Sequence, residues 1–125
     1  MFKRSGNGGD AQVETLIGKS ASVQGDVAFS GGLHIDGRVT GSVRATAGLP
    51  ATLSVSEHGV IEGSVAATSV VLNGRIHGDI FAAGRVILGA KARVQGNVHY
   101  SVIEMALGAE ISGRLVPRTG VEVTT

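Results

Sequence analysis

The chain has 125 residues, a length suited to one domain. It has no cysteine, which excludes a disulfide framework, a thiolate metal site and a thiol nucleophile. Eleven basic and ten acidic residues give a net charge of +1 without a basic block, so nucleic acid is not expected as the primary ligand, and the weak self-repulsion is compatible with self-association. Aromatic residues make up 3% and Trp is absent, so a core must be narrow and built from Val, Ile, Leu and Ala.

The chain opens with Met1-Phe-Lys-Arg4, followed by the polar, Gly-rich stretch Ser5 to Asp10. Residues 1–14 show no periodicity and are expected to form a disordered tail. This stretch lacks the apolar segment of a signal peptide, and no apolar run approaches the ~18 residues of a membrane-spanning helix. The expected location is therefore cytoplasmic. Within the tail, Met1, Phe2, Lys3 and Arg4 form a candidate membrane-binding motif. Phe2 would enter the headgroup boundary while Lys3 and Arg4 meet anionic lipid. The bland alternative is an ordinary translation start.

Repeats run from Leu16 to Val116. An aliphatic–x–Gly–x–aliphatic pentad occurs as Val23-Gln-Gly-Asp-Val27, Val39-Thr-Gly-Ser-Val43, Ile61-Glu-Gly-Ser-Val65, Ile76-His-Gly-Asp-Ile80, Val94-Gln-Gly-Asn-Val98 and Ile111-Ser-Gly-Arg-Leu115. The central glycines Gly25, Gly41, Gly63, Gly78, Gly96 and Gly113 are separated by 16, 22, 15, 18 and 17 residues. These steps are too short for a helical hairpin and right for one coil of a parallel β-solenoid. Period-two alternation turns the aliphatic residues inward and residues such as Gln24 and Asp26 outward. Each glycine either leaves space in a tight core or marks a coil corner.

Further strands are expected at Leu33–Ile35, Leu53–Val55, Val70–Leu72, Val86–Leu88 and Val102–Met105, and a third short strand per coil fits the remaining residues. The fold class is thus all-β, a single solenoid of about six triangular coils over residues 15–116. Ala45 to Ala51 reads as an inserted loop that explains the 22-residue step. Residues 117–125 read as a short C-terminal tail. Six coils at a strand spacing of about 4.8 Å make a rod roughly 25–30 Å long.

Residues for catalysis are hard to assemble from this pattern. His34, His58, His77 and His99 fall at four different phases of the repeat, so they form no metal-binding column. Neither a calcium-binding glycine–aspartate repeat nor a phosphate-cradling loop is present, and no cofactor or nucleotide is expected. The main enzymatic alternative is a hexapeptide-repeat left-handed β-helix, either an acyltransferase or a protein like the γ-type carbonic anhydrases. It is disfavoured because the repeats fill the chain and leave no substrate domain.

Glu14-Thr-Leu-Ile-Gly-Lys-Ser-Ala-Ser-Val-Gln-Gly-Asp-Val27, Leu33-His-Ile-Asp-Gly-Arg-Val-Thr-Gly-Ser-Val43 and the later pentads together resemble the bactofilin family of bacterial cytoskeletal proteins. The resemblance implies a right-handed parallel β-helix that polymerises without nucleotide, often at the inner face of the cytoplasmic membrane. It also implies a non-enzymatic scaffold for cell-wall and cell-shape machinery, with peptidoglycan-synthesising or -hydrolysing enzymes as partners. A solenoid exposes unpaired edges at both ends. The candidate polymerisation interface is therefore Leu16, Ile17, Val23 and Val27 in the first coil with Ile111, Leu115 and Val116 in the last.

Overall fold

Alternating β-branched and small polar residues build sixteen short strands in the computed structural model, which describes residues 15–46 and 50–117. They are β1 (Thr15–Ile17), β2 (Ser22–Gln24), β3 (Val27–Phe29), β4 (Gly31–Ile35), β5 (Arg38–Thr40), β6 (Val43–Ala45), β7 (Ala51–Val55) and β8 (Val60–Glu62). They continue as β9 (Val65–Leu72), β10 (Arg75–His77), β11 (Ile80–Leu88), β12 (Arg93–Gln95), β13 (Val98–Tyr100), β14 (Val102–Met105), β15 (Glu110–Ser112) and β16 (Leu115–Pro117). Every pairing is parallel, and no helix occurs among the described residues.

The strands wind into six coils of three faces. The first face stacks β1, β4, β7, the second half of β9, the second half of β11, and β14. The second is a separate six-stranded sheet of β2, β5, β8, β10, β12 and β15. The third stacks β3, β6, the first half of β9, the first half of β11, β13 and β16. The long strands β9 and β11 each turn a corner and serve two faces.

Register aligns like with like. On the second face, Val23, Val39, Ile61, Ile76, Val94 and Ile111 form one inward column. Val27, Val43, Val65, Ile80, Val98 and Leu115 form another on the third face. Ile17, Ile35, Val55, Leu72, Leu88 and Met105 form a third on the first face. In the four middle coils these positions are fully buried or nearly so. Burying each such side chain contributes about 1.5–3 kcal/mol before entropy is subtracted. Phe29 is also buried, and Ala45 lies beside it in the next coil, so a large residue is accommodated by a small neighbour.

The role of the pentad glycines is settled by the corners. Each pentad covers the end of a second-face strand, a corner at the glycine, and the start of a third-face strand. Its two aliphatic residues therefore lie on different faces rather than on one strand. The glycines turn this corner at φ between +121° and +158°, a conformation that side chains disfavour. A Cβ at Gly41, Gly63, Gly78, Gly96 or Gly113 would also strike the backbone of the equivalent glycine one coil below. The residue after the glycine secures the same corner. Asp26 accepts from the Ser42 amide at 3.0 Å, Asp79 from Asn97 at 2.9 Å, and Asn97 from Arg114 at 3.0 Å.

Turn length explains the uneven repeat. Between the first and second faces, coils two and four use the two-residue turns Asp36-Gly37 and Asn73-Gly74. The other coils use four-residue turns at 18–21, 56–59, 89–92 and 106–109. The short turns fall within the steps of 16 and 15, and the long turns within those of 18 and 17. Lys91 meets Glu57 at 3.1 Å, joining two long turns across the short one between them. The hydrogen bond and charge of Lys91 hold the Glu57 carboxyl below its ordinary range. The excess of the 22-residue step lies between β6 and β7, where residues 47–49 of the expected loop fall outside the described residues.

Candidate assembly interface

Two backbone ladders run up the stack. In the first five coils the pentad glycine amide donates to a carbonyl of the next coil, as in Gly25 to Thr40, Gly41 to Glu62 and Gly96 to Ser112. The amides of Val27, Val43, Val65, Ile80 and Val98 do the same. The sixth coil has no such successor among the described residues. There β14 pairs only with β11, β15 only with β12 and β16 only with β13. Among the described residues its outer edges have no partner, a state that invites another strand.

The apolar columns end in the same place. Leu115 is 44% exposed, whereas its column neighbour Val98 is at 0%. Met105 is 45% exposed, whereas Leu88 beneath it is at 1%. Ile103 and Ile111 are half-buried, and Leu107 in the last long turn is almost wholly exposed. Together they form an apolar cross-section at one end of the rod. At the other end, Ile17 is buried and Val23 and Val27 are half-buried.

Ile17, Val23 and Val27 therefore head the inward columns at one end, and Ile111 and Leu115 terminate them at the other. The chain keeps these groups at opposite ends of the six coils, so only a second copy could bring them together. Leu16 and Val116 sit differently. Leu16 shares the outward phase of His34 and Ser54 on the first face, and Val116 that of Phe81 and His99 on the third. Ile103, Met105 and Leu107 belong to the open end and were not among the expected interface residues. Met105 takes the position of Leu88 only through the register of β14 on β11. Met1, Phe2, Lys3 and Arg4 lie outside the described residues.

One polar cluster stands apart. On the first face, Ser54 Oγ lies 3.1 Å from His34 Nδ1, and His34 Nε2 lies 3.2 Å from Asp36 Oδ1. A hydrogen bond from Ser56 and the nearby His34 hold the Asp36 carboxyl below its ordinary range, against the opposing effect of burial. The order suggests a nucleophile relay, but such chemistry needs free donors for an oxyanion. The adjacent amides of Asp36 and Ser56 are already bound to Ile17 and Ile35 carbonyls. The four histidines occupy separate positions, and no group of three metal-binding side chains occurs among the described residues.

This geometry defines a class: a parallel β-solenoid whose last coil is open among the described residues, a surface suited to joining another polypeptide. The chain belongs to the bactofilin family, whose description is polymer-forming cytoskeletal and whose family model matches residues 15–116. It is 32% identical over 101 residues to bactofilin BacO of Myxococcus xanthus, covering 81% of this chain and 77% of that protein. It is 29% identical over 101 residues to bactofilin BacP of the same organism, covering 81% of this chain but only 40% of BacP. No solved structure is significantly similar. The protein is thus a polymer-forming cytoskeletal protein.

Proposed function

We propose that this protein forms nucleotide-independent filaments by stacking solenoids end to end beneath the cytoplasmic membrane. There it positions machinery for the cell wall and cell shape. The observation that carries the reading is the last coil, where Met105, Ile111 and Leu115 continue buried columns into an open surface. A second copy placed on that surface extends both the columns and the hydrogen-bond ladders. Neither operation requires a phosphate or its hydrolysis. The purified protein is expected to form filaments in buffer alone, seen by negative-stain electron microscopy. Strict dependence on ATP or GTP would defeat the nucleotide-free reading, and discrete trimers would favour the hexapeptide-enzyme class.

Membrane attachment rests on Met1-Phe-Lys-Arg4 and its polar spacer. One such motif binds weakly, but a filament presents many copies, and avidity multiplies the affinity. Deleting residues 1–4 is expected to abolish co-sedimentation with anionic liposomes while filaments and thermal stability persist. Added salt should weaken binding only in part, because screening acts on the cations and not on Phe2. Full pelleting of the truncated protein with liposomes would move the membrane site onto the solenoid.

A further inference from the structure

We propose that two filaments join side by side, antiparallel, through the third face of the solenoid, and that the union stops at two. The inference rests on the end-to-end reading of assembly. Its starting point is the uneven spread of charge over the faces. The second-face strands carry Arg38, Glu62, Arg75, Arg93 and Glu110, whereas the third-face strands carry Arg44 alone. The carboxylates at the adjoining corner, Asp26 and Asp79, are already engaged by backbone amides. The outward column of the third face runs Ala28, Arg44, Ala66, Phe81, His99 and Val116, one residue per coil. Near its middle the Phe81 and His99 rings stack at 4.5 Å with 13° between their planes, and Phe81 is 38% exposed. Aromatic residues with few charges mark the centre of a protein interface rather than a solvated surface.

The sizes along this column select the occupant. A two-fold axis along the strand direction, between the third and fourth coils, sets coil one against coil six, two against five and three against four. Phe81 then faces Ala66 of the second copy, Val116 faces Ala28, and Arg44 faces His99. Each large apolar group meets an alanine. The guanidinium meets an imidazole, whose unprotonated nitrogen can accept its hydrogen bond. A two-fold axis along the rod would instead set each residue against itself. Arg44 would then oppose Arg44, and Phe81 would collide with Phe81. An anionic membrane would use Arg44 but would leave the match of sizes without a role.

The contact is too small to act singly. Six strands at about 4.8 Å, each three residues long, give a footprint of roughly 300 Å² per copy. Stable complexes bury about 800 Å² per partner, so two isolated copies do not stay together. End-to-end stacking that continues the inward columns also keeps the third faces of successive copies in line. A filament therefore presents the patch once every six coils, and many weak contacts act together. The two-fold uses the same patch on both copies. Pairing consumes it, and a third filament finds no seat.

The test is negative-stain electron microscopy of the full chain assembled without nucleotide, which is expected to show filaments in pairs. Phe81→Ala removes the central ring, and Ala66→Phe sets ring against ring across the axis. Each is expected to give single filaments. Combining them exchanges the two sides of one contact and is expected to restore the pairs. All these side chains point outward, so thermal unfolding should stay close to the parent. Pairing that survives both single variants overturns the proposal, as does a double variant that remains single. Wide sheets in place of pairs overturn the two-fold closure. If Phe81→Ala filaments stay paired but lose co-sedimentation with anionic liposomes, the face serves lipid and the proposal falls. If the native chain forms no filaments, the end-to-end reading fails and the pairing fails with it. If it forms only single filaments, the pairing alone is lost.

Discussion

Leu115→Arg is expected to yield a folded protein that no longer forms filaments. Leu115 ends the third-face column above Val98 and is 44% exposed in the single chain. In that chain the arginine can reach water, so the fold loses little. In a junction the same guanidinium would be sealed against the apolar end of a second copy. An unpaired buried charge costs about 3–5 kcal/mol, which weakens each contact by about two to four orders of magnitude. Sedimentation should show a small species, and circular dichroism an unchanged β spectrum. Filaments of ordinary length would show that the copies join through their sides.

Gly78→Ala is expected to damage the fold itself. Gly78 sits at φ +158° in the middle of the stack, and a Cβ there strikes the backbone of Gly63. Backbone strain of this kind costs about 1–3 kcal/mol before any collision. The collision adds to it, because the coil spacing is fixed by hydrogen bonds on both sides. Thermal unfolding should occur at least about 10 °C lower, given 4–8 °C per kcal/mol for a domain near this size. Gly18→Ala is the control, since no atom lies within 4 Å of a Cβ there and surface changes usually stay within about 0.5 kcal/mol. Both are best measured in the Leu115→Arg background, where assembly does not add to apparent stability. A Gly78→Ala variant as stable as its parent would refute the assigned role of the corner.

Much of this architecture was legible in the sequence. The pentads carried the inward columns, because a parallel stack places equivalent residues above one another and so selects the same type at each level. The corner at the glycine was not legible. Period two runs through Val23, Gly25 and Val27 whether the strand bends or not, and only the positive φ and the backbone beneath Gly41 distinguish the cases. The outward phase of Leu16 was hidden for a related reason. The turn 18–21 separates β1 from the first pentad, so the phase of Val23 does not carry back across it. Val116 is set by simple alternation from Leu115, inside its own strand, and its outward side follows from that. Of the open end, Leu115 and Ile111 were legible from the pentad. Ile103 and Met105 required the register of β14 on β11.

The central claim is that filaments grow along the solenoid axis through the coil ends. Cryo-electron microscopy of filaments assembled without nucleotide tests it most directly. Six coils at about 4.8 Å predict a subunit spacing near 29 Å along the axis, or twice that if alternate copies are inverted, with strands running across the filament. Strands lying along the filament, or a spacing unrelated to six coils, would contradict it.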